Sequence, residues 1–239
     1  MGEGIKAVIL CGGMGLRLRE ETDRVPKPMV EVCGKPILWH IMDFYAHFGF
    51  NDFILCTGYK GEAIRDYFGN GRNAGKGWDV IVEDTGLESQ TGSRIKRIEK
   101  HITEDNFFVT YGDGLTDAPL DALLAYHRKQ RTIGTLTAVH PHSKWGLIQA
   151  GTDGIVQRFV EKPVLVDFIN GGYFVFKREF LDYLSADASC VLEKEPLNAL
   201  VEKRQLSMFV HEGFWHAMDT YKDYVDLNAM CSNMPWAKR

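Results

Sequence analysis

The residues best suited to chemistry open the chain. Gly12-Gly13-Met14-Gly15-Leu16-Arg17-Leu18 follows directly on the apolar run Ile5 to Leu10, and Lys27 stands a short way on between Pro26 and Pro28. Glycines let backbone N–H groups come close to an anion, and Arg17 with Lys27 brings the positive charge that a triphosphate demands. The run is neither a Walker loop, which ends in Gly-Lys-Ser/Thr, nor the dinucleotide G-x-G-x-x-G with its acidic follower. On glycines alone it reads equally as a phosphate cradle or as an ordinary strand-to-helix turn. Further along, Gly112-Asp113-Gly114 breaks the apolar run Phe107 to Tyr111, which puts a carboxylate at a strand end. Asp219 stands just before Thr220, where a lone aspartate usually serves a helix N-terminus, and Glu161-Lys162 is by itself an ordinary solvated pair.

These residues need elements to hold them, and the first half of the chain alternates β-rich runs with helical stretches. That is the pattern of a mostly parallel, Rossmann-like mixed sheet flanked by helices, an α/β fold that binds ligands at the carboxyl ends of its strands. Strands are expected at Ile5 to Leu10, Phe53 to Thr57, Trp78 to Val82 and Phe107 to Tyr111. Pro36 opens a helix with Ile37, Leu38, Ile41, Phe44, Tyr45 and Phe48 on its apolar face, and a shorter helix is expected from Glu62 to Phe68. Gly69 to Gly77 reads as a loop. The spacing of Ile95, Ile98 and Ile102 predicts one amphipathic helix, and Asp117 with Pro119 predicts a cap and first turn for a helix carrying Leu120, Leu123, Leu124 and His127, with His127 at the edge of the core. From Ile133 the pattern turns to strands, with Asp153-Gly154 as a hairpin turn between Leu147 to Ala150 and Ile155 to Val160. Another strand runs from Gly172 to Phe176. Helices follow at Glu179 to Leu184 and Pro196 to Lys203, then a strand from Leu206 to His211 and a terminal helix capped by Thr220. A single domain is expected over residues 1–239, its nucleotide-binding half about 1–130 and a small β-rich sugar-phosphate half about 131–239.

Composition narrows the class. With 45% hydrophobic and 25% charged residues and a net charge of -4, the chain reads as a globular protein, with no basic block for nucleic acid or a membrane surface. No run approaches the roughly 20 apolar residues of a membrane span, and the N-terminus lacks a leader pattern, so a cytoplasmic protein is expected. The five cysteines, Cys11, Cys33, Cys56, Cys190 and Cys231, are scattered among apolar neighbours with no C-x-x-C pair, and are expected to be reduced filler, Cys11 included. His140-Pro141-His142 lacks a third ligand for a metal.

Taken in order, five segments resemble the sugar-1-phosphate nucleotidyltransferase family along nearly the full chain. They are Gly12 to Leu18 with Lys27-Pro28, Thr91-Gly92-Ser93-Arg94, Tyr111-Gly112-Asp113-Gly114, Glu161-Lys162-Pro163 followed by Asn170-Gly171-Gly172, and Phe214 to Thr220. Within the family the chain looks most like the branch that uses CTP and glucose 1-phosphate, through Glu20-Glu21-Thr22, Pro28 to Glu31, Lys35 to His40, Asp84-Thr85-Gly86 and Phe214-Trp215. The resemblance implies transfer of a nucleotidyl group from a nucleoside triphosphate to a sugar 1-phosphate. Leu10, Cys11, Gly12, Gly13, Met14, Gly15, Arg17, Lys27, Ser89, Thr91, Gly92, Arg94 and Gly112 then bind nucleotide, and Gly146, Glu161, Lys162, Asn170, Gly172 and Trp215 bind the sugar phosphate. Asp113 and Asp219 hold Mg²⁺, with Arg17, Lys27, Lys162 and Asp113 catalytic; the partners are the two substrates and a second copy in a homo-oligomer. The chain departs from the family pattern at Leu16, where threonine is common, and in the short segment between Phe68 and Asp84. Both leave open the oligomeric state and whether CTP, UTP, dTTP or a purine nucleotide is used.

That chemistry asks for placement and charge neutralisation more than for proton transfer. A phosphomonoester with a second pKa of about 6 is already ionised at neutral pH, so no general base is required. A glycosyltransferase or a non-catalytic nucleotide-sugar sensor could share the same sheet; pyrophosphate release separates both from a nucleotidyltransferase.

Overall fold

The computed structural model describes residues 4–15, 25–69 and 76–237. Arg17, Leu16, Leu18, the Glu20-Glu21-Thr22 segment and the heart of the 69–77 loop lie outside those residues.

The first strand, β1 (Lys6–Leu10), shows why a sheet forms. Its Ala7 and Ile9 enter one core and Val8 and Leu10 enter the other, all buried, as befits a strand covered on both faces. After a two-strand hairpin, β2 (Glu31–Val32) and β3 (Lys35–Pro36), comes α1 (Ile37–His47), which buries Ile37, Leu38, Ile41, Phe44 and Tyr45 against the first core. Then follow β4 (Asp52–Thr57), α2 (Gly61–Phe68), β5 (Asp79–Asp84), α3 (Thr91–Arg97), β6 (Asn106–Tyr111), β7 (Gly114–Thr116) and α4 (Leu120–Gln130). The second half supplies β8 (Gly134–Val139), β9 (Leu147–Ala150), β10 (Val156–Val160), β11 (Ile169–Lys177), α5 (Glu195–Glu202), β12 (Leu206–Val210), β13 (Trp215–Ala217) and α6 (Tyr221–Ala229).

Seven strands make one sheet in the order β12-β8-β11-β6-β1-β4-β5. Neighbours β6, β1, β4 and β5 are parallel, β12 and β8 are parallel, and β11 alone runs antiparallel to its neighbours β6 and β8. Both halves of the chain therefore build the same sheet. The β9–β10 hairpin stands apart with most of its side chains exposed. Among the described residues no helix is long and apolar enough to cross a membrane.

Several expectations need correction. Cys33 and Cys231 form a disulfide, leaving Cys11, Cys56 and Cys190 as thiols, so the cysteines are not all reduced filler. The bridge spans 198 residues of sequence, beyond the reach of any local spacing rule. Asp117 does not cap the helix after it: its carboxylate accepts from His211 Nε2 at 2.9 Å, and Pro119 takes the cap position without a side-chain bond. The isoleucine stripe is two pieces, because α3 stops at Arg97 and a 3₁₀ turn, Glu99–His101, carries the chain on; Ile95, Ile98 and Ile102 are all buried nonetheless. Arg178–Tyr183 is likewise a 3₁₀ helix. His127 is fully buried inside the fold, bonded to Thr135 Oγ1 at 2.8 Å and Asn106 Oδ1 at 3.2 Å. Burial, helped by Lys177 and Arg128, pulls its pKa down to about 4 and keeps the ring neutral.

Candidate active site

The carboxyl ends of β1 and β6 open onto a cleft of about 920 Å³. Its lining includes the segment Cys11 to Gly15, the run Leu87 to Thr91 with Arg94, and Tyr111 to Asp113, Asn170, Trp215 and Asp219. A second hollow of about 530 Å³ beside Trp39, His40 and Trp236 holds neither the glycine segment nor the strand-end aspartate.

Two pairings bring the acidic residues together. Antiparallel β7 and β13 set Gly114 opposite Ala217, and Met218 N–H donates to Asp113 O at 2.9 Å, so that Asp219 arrives beside Asp113 although 106 residues separate them. Asp219 is held from behind, since its N–H donates to Asp223 Oδ2 at 3.0 Å, and Asp223 completes a capping box with Thr220 at the head of α6. Lys27, on the 3₁₀ turn Lys27–Met29, places its ammonium between the two carboxylates, 2.5 Å from Asp113 Oδ2 and 2.9 Å from Asp219 Oδ1. Burial alone would lower the lysine pKa; the two aspartates outweigh it and hold the pKa up, so the group stays charged. The carboxylates thus already gather about a cation. Among the described residues no cluster of three His, Cys, Asp or Glu exists that could hold a metal. The protein offers two hard oxygen donors at an open cleft, which suits Mg²⁺ that keeps waters and takes phosphate oxygens for its remaining positions.

The glycine segment is shaped from beneath. Arg94 is buried, and its guanidinium donates to Thr57 O and Thr85 Oγ1, each at 2.8 Å, to Gly86 O at 2.9 Å, to Gly12 O at 3.0 Å and to Leu87 O at 3.3 Å. A planar fork of five N–H groups can join so many carbonyls; an ammonium cannot. A Cβ on Gly12 would fall on that guanidinium, which explains the glycine there, whereas Gly13 has open space. Gly112 lies against Leu10 O, its N–H bonded to that oxygen at 3.1 Å. Cys11 is buried, and burial together with Cys56 pushes its thiol pKa well up, the opposite of an activated nucleophile.

The remaining residues expected to bind nucleotide use their polar groups within the protein. Ser89 Oγ donates to Thr85 O at 2.6 Å, and Thr91 Oγ1 donates to Glu193 Oε2 at 2.7 Å; Gly92 packs on Cys190 and lies outside the cleft wall. Of the residues expected to bind the sugar phosphate, Asn170 and Trp215 line the cleft, with Trp215 Nε1 donating to Gly171 O at 2.7 Å. Gly172 sits just behind, in the left-handed region at φ 79, where a Cβ would strike the Tyr111 ring at 2.6 Å. Gly146, Glu161 and Lys162 are not in the wall. They sit around the exposed β9–β10 hairpin, Gly146 against Phe159 and Glu161, and Lys162 paired with Glu161 at 3.6 Å with 55% of its side chain exposed. Two residues to which the sequence reading gave no role meet this site: Tyr111 lines the cleft, and Glu193, outside the wall, bonds to Thr91 and Tyr111. Tyr111, two residues before Asp113, could have been found from its strand-end position; Glu193 lies in Leu192-Glu193-Lys194-Glu195-Pro196 with no local signal.

Residues 6–233 match the family model described as nucleotidyl transferase. The chain is 41% identical to the glucose-1-phosphate cytidylyltransferase of Salmonella typhi, over 97% of this chain and 98% of that protein. It is 40% identical to the enzyme of the same name from Salmonella typhimurium, with the same coverage. Among solved structures, the inositol-1-phosphate CTP transferase from T. maritima superposes with a TM-score of 0.71 over 98% of both chains at 18% identity, a likeness of fold.

Proposed function

The chain belongs to the nucleotidyl transferase family, and from that premise we propose that it joins CTP to glucose 1-phosphate, giving CDP-glucose and pyrophosphate. The observation that carries the choice of substrates is the near end-to-end identity, 41% and 40%, to two relatives that bear the name glucose-1-phosphate cytidylyltransferase. In this reading the chain is one nucleotidyltransferase unit, nucleotide-binding over about residues 1–130 and sugar-phosphate-binding over about 131–239.

The reaction is an in-line displacement. A phosphate oxygen of the sugar phosphate, already ionised, forms a bond to the α-phosphorus of CTP as the bond from that phosphorus to the bridging oxygen breaks, and the electron pair leaves with pyrophosphate. The cleft has to align two polyanions and quench their repulsion. N–H groups of the segment from Gly12 to Gly15 cradle the triphosphate, with Arg17 and Lys27 for the departing pyrophosphate and Lys162 for the incoming phosphate. Asp113 and Asp219 would hold Mg²⁺, which would supply charge neutralisation at phosphate oxygens. Asn170 and Trp215 in the wall, with Gly172 behind it, orient the sugar, and Gly146, Glu161 and Lys162 serve the sugar phosphate from around the β9–β10 hairpin, outside the wall. Base choice follows from hydrogen bonding: cytosine presents an amine where uracil and thymine present a carbonyl, and each wall group left unpaired by the wrong base costs about 1–3 kcal/mol.

The test is a matrix of the common nucleoside triphosphates against sugar 1-phosphates, read by pyrophosphate release. CTP with glucose 1-phosphate is expected to give the highest kcat/KM. A clear preference for another nucleotide would overturn the cytidylyl assignment, and silence from every pair would overturn the transferase itself.

A further inference from the structure

A chain of hydrogen bonds joins three residues of the cleft wall, Thr91, Tyr111 and Asn170, through Glu193, which lies outside the wall and belongs to no motif. Glu193 follows Leu192, which is buried and fixed by a bond from its N–H to Thr91 Oγ1 at 2.9 Å. The Glu193 carboxylate sends one oxygen each way. Its Oε2 accepts from the Thr91 hydroxyl at 2.7 Å, and its Oε1 accepts from the Tyr111 hydroxyl. The Tyr111 oxygen accepts in turn from Asn170 Nδ2 at 3.3 Å, and Asn170 Oδ1 accepts from Gly172 N–H at 2.8 Å.

The direction of every bond is set. Thr91 accepts from Leu192 N–H and therefore has its proton to give; Tyr111 accepts from Asn170 and gives its proton likewise. Both protons meet a carboxylate, which accepts twice and carries no donor of its own. Burial and the nearby Glu193 push the Tyr111 pKa well up, so the phenol remains a donor at any working pH. What the bonds join matters as much. Thr91 starts α3, whose Arg94 holds the glycine segment; Tyr111 ends β6 two residues before Asp113; Asn170 stands in β11.

We infer that Glu193 is a positioning residue for the transfer reaction, tying Thr91, the Asp113 strand end and Asn170 into one register. The inference rests on the transferase reading above. Glu193 is itself exposed, so its removal opens no cavity in the core, and the effect on the reaction can be separated from folding.

Steady-state kinetics on the wild type's preferred substrate pair, with calorimetric nucleotide binding and thermal melting alongside, decide it. Glu193→Ala is expected to melt as the wild type does but to lose about tenfold to a hundredfold in kcat/KM for both substrates, the scale of hydrogen bonds to a charged group. Glu193→Gln keeps one acceptor and should recover part of that loss. In Glu193→Ala/Tyr111→Phe the losses should not multiply, because the second change cuts a bridge already cut. Wild-type kcat and KM in Glu193→Ala, or fully multiplicative losses in the double variant, would overturn the tie. A wild type that binds nucleotide yet releases no pyrophosphate would sink the transferase reading instead, and unchanged nucleotide affinity in Glu193→Ala would then sink the tie as well.

Discussion

Lys27 is where charge and geometry meet most tightly. Its ammonium sits between Asp113 and Asp219 at 2.5 and 2.9 Å, and those carboxylates are only partly covered, 27% and 31% exposed. An ion pair with that much solvent contact contributes little to folding, about 1 kcal/mol or less. What it contributes to is charge: in the proposed reading, two adjacent carboxylates lining the cleft would repel polyanionic substrates unless a cation balanced them. Asp113→Asn and Asp219→Asn keep the shape and remove one charge each. Each variant is expected to fold and to lose turnover on the order of a hundredfold or more, the scale of metal-assisted charge stabilisation. EDTA should silence the wild type and added Mg²⁺ restore it; undiminished turnover in EDTA would remove the metal from the account. Asp113 was legible in the sequence because a glycine pair around a carboxylate marks a strand end. Its meeting with Asp219 across β7 and β13 was legible only through the family resemblance, since no local pattern joins residues so far apart.

Arg94 makes α3, β4, the turn after β5 and the glycine segment into one assembly, because its guanidinium joins carbonyls from Thr57, Gly86, Leu87 and Gly12. The two neighbouring glycines of that segment consequently differ. A methyl on Gly12 meets the Arg94 guanidinium and a methyl on Gly13 meets open space. Displacing the guanidinium leaves buried carbonyls unpaired at about 1–3 kcal/mol apiece. Gly12→Ala is therefore expected to lower stability by roughly 2 kcal/mol or more and to weaken nucleotide binding severely, while Gly13→Ala keeps the wild-type melting temperature; equal behaviour of the two in thermal melts and nucleotide titration would refute the clamp. Elements of this kind were read well from sequence where the pattern is local, as in β1, α1, β6 and the hairpin at Asp153-Gly154. They were misread where a distant group outbid the local one. Asp117 has the type and place of a helix cap, yet His211 takes its carboxylate. Arg94 was assigned to nucleotide through the family resemblance alone; its hold on Gly12 from beneath was not legible, because its partners come from distant parts of the chain.

At the scale of the whole molecule, both halves of the chain enter one seven-stranded sheet, and the ends are closed on each other by Cys33–Cys231. The sheet was legible because strand periodicity survives in short windows. The disulfide was not, because partners 198 residues apart share no spacing signal, and scattered cysteines in apolar surroundings otherwise read as thiols. The bridge anchors the turn between β2 and β3 to the end of α6, where Cys33 N–H also donates to Asn228 Oδ1 at 3.0 Å. That turn has φ 53 at Cys33 and φ 75 at Gly34, a left-handed pair for which Asn-Gly is the favoured sequence and in which a cysteine is strained. Closing so long a loop restricts the unfolded chain, so Cys231→Ser is expected to reduce unfolding stability by about 2–5 kcal/mol. Cys33→Asn removes the same bridge but installs a residue suited to the turn, and should retain about 0.5–1 kcal/mol more than Cys231→Ser. Denaturant unfolding of the two variants beside oxidised and reduced wild type measures both differences, and thiol titration of the denatured protein should count three free thiols before reduction and five after. Five thiols without reductant would remove the bridge, and equal stabilities of the two variants would remove the strain assigned to Cys33.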